Sequence, residues 1–155
     1  MSKAYASEIQ TLLLKCRIGS LATLGEDGSE ASMAPFAMAQ GEIILHLSKL
    51  ARHTRNIADH PKVGFMICTP ESSAESPLSL PRLSLQGNIE AVADDEYDRV
   101  KAIYIETIPD AEPLFEFSDF GLFRLTPSFI YWVGGFGYAR SIAPHDWHTL
   151  SANLK

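Results

Sequence analysis

The sequence predicts a mainly β domain: a closed or partly closed antiparallel barrel with short helices packed outside it. Three observations carry this. Six or seven short apolar segments follow one another at hairpin spacing, turn residues separate most of them, and the segment from Arg82 to Ala91 alternates apolar with polar. The 155 residues suffice for one core without disulfides, and one domain over 1–155 accounts for them.

The elements follow in order. Residues 1–16 read as a helix, with Ser2 as cap and Ile9, Leu12, Leu13 and Cys16 on one face. Ile18–Leu24 and Ala31–Ala37 are strands joined by Gly25-Glu26-Asp27-Gly28, whose Asp-Gly supplies positive φ. Gln40-Gly41 turns the chain into Ile43–Leu47. A short helix over 49–58, capped by Ser48, ends before Pro61, and Val63–Cys68 is a buried strand. Residues 69–81 carry three prolines and several serines and read as a loop. In Arg82–Ala91, Leu83, Leu85, Ile89 and Ala91 point one way. Asp94 caps a further helix with Tyr97, Val100 and Tyr104 as its stripe, and Asp95 and Glu96 suit its dipole. Phe120–Leu125 and Phe129–Val133 are read as two strands meeting at a Pro127-Ser128 turn, and residues 143–155 as a C-terminal tail.

Composition excludes several classes. Apolar types are 46% and charged types 21%, as in ordinary soluble domains, so a disordered segment or coiled coil is ruled out. A net charge of −6 argues against a nucleic-acid surface. Two cysteines without CxxC spacing fit a reducing compartment. No signal peptide and no apolar run of spanning length is seen, so a cytoplasmic protein with no membrane contact is expected.

Four features carry chemistry. Ser48-Lys49-Leu50-Ala51-Arg52-His53-Thr54-Arg55 places cations and hydroxyls at a helix N-terminus after a strand, which suits a phosphate and reads equally as a solvated basic face. Tyr131 to Arg140 combines aromatics, a glycine turn and one arginine. It lacks the Walker and dinucleotide spacings and fits a flat aromatic ring or a plain core strand with its loop. Arg82 opens the polar face of its strand. His145 and His148 stand three apart, a spacing that one helical turn brings together for a metal or haem iron, although no third ligand accompanies them and no metal site is assigned. His46 reads as a strand-interior histidine and His60 as a loop residue. No GxSxG, HExxH or cysteine-nucleophile motif is present.

With these motifs quoted, the chain resembles the pyridoxamine 5′-phosphate oxidase-like split-barrel flavoproteins, and within them the haem-utilisation branch. The segments LSKLARHTRNIADHPKVGFMI, PRLSLQGNIEAV, PDAEPLFEFSDFGLFRLTP and WVGGFGYARSI carry the resemblance, which runs from about Ile18 to Ile142. It implies an antiparallel split β-barrel, a homodimer, and FMN in clefts at the subunit interface. By position, Arg52 and His53 would hold the FMN phosphate, with His53 where the oxidase has lysine. Arg82 would contact the flavin where the oxidase has glutamine, and Trp132 and Arg140 would lie near it. Ser32, Met33, Ala34 and Pro35 would line the ring, with His46 and Leu47 at the next strand's edge.

Departures narrow the expected activity. Ile142 stands where the oxidase has a substrate histidine, and its Tyr…Arg…Ser set is missing after Tyr104, which disfavours vitamin B6 oxidation. Haem-utilisation members are often longer, and many have arginine at the position of Tyr138. The expectation is an FMN-binding oxidoreductase of unassigned small-molecule substrate. The alternatives are a haem-binding or haem-iron utilisation protein using His145 or His148, and a flavin module without turnover. A deazaflavin also fits such a fold.

Overall fold

A computed structural model describes residues 3–72, 76–152 and 154, so the Ser2 cap lies outside the described residues. The order is α1 (Lys3–Lys15), β1 (Ile18–Gly25), β2 (Gly28–Ala39), β3 (Glu42–Ser48), α2 (Arg52–Asp59), β4 (Lys62–Cys68), β5 (Arg82–Ala91), α3 (Asp94–Thr107), β6 (Phe120–Gly135), β7 (Tyr138–Ile142) and α4 (Pro144–Ser151). Short 3-10 segments cover Pro77–Ser79 and Pro109–Glu116. The sheet order is β3-β2-β1-β4-β5-β6-β7, and β3 also pairs with β6. That last pairing closes β3-β2-β1-β4-β5-β6 into an antiparallel barrel, with β7 added along β6. The predicted fold class is the observed one.

Hydrophobic alternation explains the barrel interior. β1 alternates exposed and buried residues along its whole length, and Phe36, Phe65, Leu83, Leu85 and Trp132 fill the inside. Ile9, Leu12, Leu13 and Cys16, on the predicted face of α1, join this core, so the helix is an amphipathic plug. β3 is buried on both faces, as its Ile-Ile-Leu run requires, because α3 packs Val100 and Tyr104 outside against Ile44 and Leu122. In the β2–β3 turn, Gln40 (φ 53°) and Gly41 (φ 87°) both adopt positive φ, the geometry that matches strand twist in a two-residue hairpin.

Five sequence expectations are corrected. Phe120–Leu125 and Phe129–Val133 belong to one strand, and Pro127 is inside it rather than at a turn. Proline gives no N–H to the ladder, and β6 absorbs the gap by bulging: Gln86 pairs with Phe129 and Gly87 with Pro127, which leaves Ser128 as the extra residue. α2 begins at Arg52 with Ala51 as its uncapped start. Ser48 Oγ instead accepts from the Leu50 N–H and donates to Asp119, while its carbonyl accepts from the Thr54 hydroxyl at 2.6 Å. Ala93, not Asp94, is the N-cap of α3, although the acids remain in its first turn. The 143–155 tail contains α4, anchored by Trp147, whose Nε1 donates to the Gly41 carbonyl at 2.8 Å. At the inward end of β5, Ala91 is exposed and Val92 takes the buried place.

Candidate functional site

A cavity of about 620 Å³ opens on the outer face of the barrel where α1 hands over to β1. Lys15, Cys16, Arg17, Ile18, Gly19 and Ser20 form one wall. Met33 and Pro35 of β2 form a second, Met66, Cys68 and Pro70 a third, and Ile108 and Asp110 after α3 close the end. Strand parity puts these side chains there. Val63, Phe65 and Ile67 turn inward, so Met66 and Cys68 must turn outward. Ser20 of β1 pairs with Met33 on one side and Met66 on the other, so a small residue forms the floor between two thioethers.

The cavity is mostly apolar, with three charged residues in its lining. Lys15 and Arg17 bring two cations and Asp110 one acid, and neither cation is in an ion pair among the described residues. Cys16 is 7% exposed, and its thiol donates to the Cys68 carbonyl at 3.6 Å. Burial, and next the nearby Cys68, push its pKa up, so it stays a neutral thiol.

The site residues expected from the sequence scatter around this cavity. Met33 and Pro35 line it, and Arg82 is one strand over, in register with Cys68 and donating to the Leu80 carbonyl at 3.1 Å. Ala34 and Leu47 are buried, and Ser32 is half-buried opposite Leu21. Trp132 is 2% exposed in the barrel core. Arg140 stacks its guanidinium over the Tyr5 ring of α1 at 4.3 Å. Arg52 is on α2 in an ion pair with Glu30, which also accepts from Asn56. His53 Nε2 is buried without a partner, and burial holds the His53 pKa low. His145 is exposed on α4 beside Asp146, while His148 lines a separate cavity with Gln40, Glu42, Arg124 and Trp147. The structure does not bring the two tail histidines to the β1–β2–β4 cavity. Lys15, Arg17, Cys68, Met66 and Asp110 escaped the sequence reading. Alternation in β4 carried the signal for Met66 and Cys68, but nothing local says that β1 lies between β2 and β4.

His46 has a different surrounding. Its ring stacks on Phe115 at 3.8 Å and 8°, with Phe120 and Tyr104 at 5.1 and 5.7 Å. It is 8% exposed, and neither ring nitrogen has a hydrogen-bond partner. Burial first, and the Lys101 charge second, push its pKa down to about 4. Between the ordinary histidine pKa and that value, the unfolded chain takes up a proton that the folded chain refuses. Folding stability should therefore fall as pH drops from about 6.5 to about 4, by up to about 3 kcal/mol, and level off below. Denaturant titrations of His46→Phe against the parent should show this loss missing. An unchanged pH slope would rule out His46 as its source. The same pocket reaches the cavity, because the Tyr104 hydroxyl donates to the Pro35 carbonyl at 3.3 Å.

Among the described residues, no helix is long and apolar enough to cross a membrane.

Comparison with known proteins places this geometry. Heme oxygenase HutZ of Vibrio cholerae is 32% identical over 148 residues, covering 93% of this chain and 80% of HutZ. Its solved structure, described as that of a heme storage protein, superposes with a TM-score of 0.72 at 29% identity, covering 79% of this chain and 89% of that one. A heme binding protein from Mycobacterium smegmatis superposes with a TM-score of 0.87 at 29% identity, over 96% of this chain but 62% of that longer one. A putative pyridoxamine 5′-phosphate oxidase from Listeria innocua, 16% identical with a TM-score of 0.64 over 84% of this chain and 98% of that one, shares the fold. The model of the CREG β-barrel family matches residues 2–149. Barrel closure, flanking helices and these matches together make the chain a member of the CREG-like split-barrel family, related to the haem-utilisation protein HutZ.

Proposed function

We propose that this protein binds haem in the β1–β2–β4 cavity and serves haem utilisation. The observation that carries the reading is the cavity's make-up: apolar walls for a porphyrin, Lys15 and Arg17 for its two carboxylates, and sulfur donors suited to iron. The names of HutZ and of the mycobacterial haem-binding protein support it. Bound haem would supply a redox-active iron. The chain's own residues would orient it, with Lys15 and Arg17 meeting its carboxylates, and the apolar lining would exclude water.

FMN-dependent oxidoreduction is the second reading, and the α2 terminus weighs against it. A phosphate site needs uncommitted cations, yet Glu30 engages Arg52 and puts a carboxylate where the anion would go. We further propose a homodimer built on the outer face of the sheet. Met33, Ser20, Met66, Ser84 and Tyr131 form one register row across β2, β1, β4, β5 and β6, and three of the five are exposed large apolar residues. The cavity opens on that face, so a second copy would roof it.

Mixing the protein separately with ferric haem and with FMN, desalting, and recording spectra tests the reading. Haem should be retained at about one per chain, flavin should wash off, and the haem complex should sediment as a dimer. Retained flavin bands with no retained haem would reverse the assignment in favour of the oxidoreductase.

A further inference from the structure

His46 docks a segment of the chain that little else holds. The 3-10 segment Pro109–Glu116 leads from α3 towards β6; Ala111 in it is buried, Phe115 is half-buried and the rest is exposed. Its main-chain bonds are local, with the Ala111 N–H donating to the Ile108 carbonyl and the Phe117 N–H to the Leu114 carbonyl. Among the described residues, no hydrogen bond joins 109–117 to a strand. Phe115 makes the main attachment, lying flat on the His46 ring with the Lys101 ammonium 5.1 Å from its own centroid. Pro109 and Pro113 stiffen the segment. At its start, Ile108 and Asp110 close the end of the β1–β2–β4 cavity.

The stack accepts only a neutral imidazole. Neither ring nitrogen has a hydrogen-bond partner, and a proton there would set a second cation against the ring that Lys101 already faces. The other ionisable groups on the elements packed around it give no relief. Tyr104 of α3 stays neutral, because burial pushes its pKa up to about 12. Asp119, ahead of β6, accepts from Ser48, and Arg124 of β6 is paired with Glu42 and Glu96. Glu112 and Glu116 are exposed on the segment itself. We propose that Pro109–Glu116 is an acid-released strap: Phe115 on neutral His46 keeps it closed over the end of the cavity, and a proton taken up by His46 when the strap lifts keeps it open. The lifted form gives the imidazolium the water that the closed form denies it. Proton linkage that weakens the whole fold acts first on the opening that costs least. The strap is independent of what the cavity binds, so this proposal and the haem reading fail separately.

Hydrogen–deuterium exchange of the full chain, read by mass spectrometry at pH 7 and pH 5 and corrected for intrinsic exchange, tests it. In the parent, opening of the peptide over 108–117 should rise about twentyfold from pH 7 to pH 5, with peptides from β1 and β4 unchanged. His46→Phe keeps an aromatic stack without the proton and should stay protected at both pH values. Phe115→Ala removes the attachment from the exposed side and should be open at both. No rise in the parent, an equal rise in His46→Phe, or protection retained in Phe115→Ala would overturn the proposal. So would a strap that opens only together with β1 and β4.

Discussion

Gly87→Ala should destabilise the protein by about 3 kcal/mol or more, an effect confined to the few substitutions that force backbone apart. A Cβ at Gly87 would stand 2.0 Å from the Thr126 carbonyl oxygen, 2.8 Å from its carbon and 3.0 Å from Pro127 Cα. All three are main-chain atoms, so no rotamer change relieves the clash. The collision falls where the β5–β6 ladder shifts register to pass Pro127, and β6 is the strand that both closes the barrel on β3 and carries β7. Prying β5 from β6 here therefore loosens several pairings at once. Gly64→Ala is the matched control. Its Cβ would meet Ala22 Cβ at 3.5 Å and the Leu85 oxygen at 3.8 Å, ordinary contacts, so its cost should stay below about 1 kcal/mol. In thermal melts the Gly87 variant should fall by about 6–12 °C and the control by a fraction of that. Equal losses at the two sites would show that the bulge plays no special part.

Reversing both cavity cations, Lys15→Glu with Arg17→Glu, should lower haem affinity about a hundredfold or more. Each charge-assisted bond to a carboxylate contributes about 1.5–3 kcal/mol, and reversal adds repulsion to the loss. Both residues are exposed at the α1–β1 corner, so the fold should survive. Asp110 lies in the same cavity and opposes anionic groups, so Asp110→Asn should shift affinity the other way. The parent's affinity should weaken with salt, and the doubly reversed variant should lose that dependence. Arg52→Ala, on α2 and already neutralised by Glu30, serves as the remote control and should leave haem titrations unchanged. If reversal at Lys15 and Arg17 left the titration equally unmoved, haem would have to bind elsewhere.

Much of the barrel was legible because local chemistry and tertiary structure agree there. The β1–β2 hairpin, the β2–β3 turn at Gln40-Gly41, the alternating β5 and the apolar face of α1 each follow from a pattern a few residues long. Pro127 shows where such reading stops. Thr-Pro-Ser is turn chemistry in isolation, yet pairing with β5 on its flank turns it into a bulge at Ser128, and the strand continues. Ser48 shows the same at a helix start: its hydroxyl found Asp119, a partner 71 positions away, instead of capping α2.

The site divides along the same line. Met33 and Pro35 were named through the family resemblance, as positions lining a flavin ring, and strand parity makes them face outward into the cavity. Arg52 looked like half of a phosphate clamp because helix N-termini favour anions, but the anion it meets is Glu30, brought across by the β1–β2 hairpin. The sequence by itself determined the mainly β class, the hairpin turns and the apolar faces. Only the tertiary structure decided that Lys15, Arg17, Met66, Cys68 and Asp110 share one cavity with Met33. Periodicity reports which face of a strand a residue occupies, while strand order reports whose neighbour it is. That order is set by long-range pairing, with β1 between β2 and β4 and β3 closing on β6, which no window of adjacent residues contains.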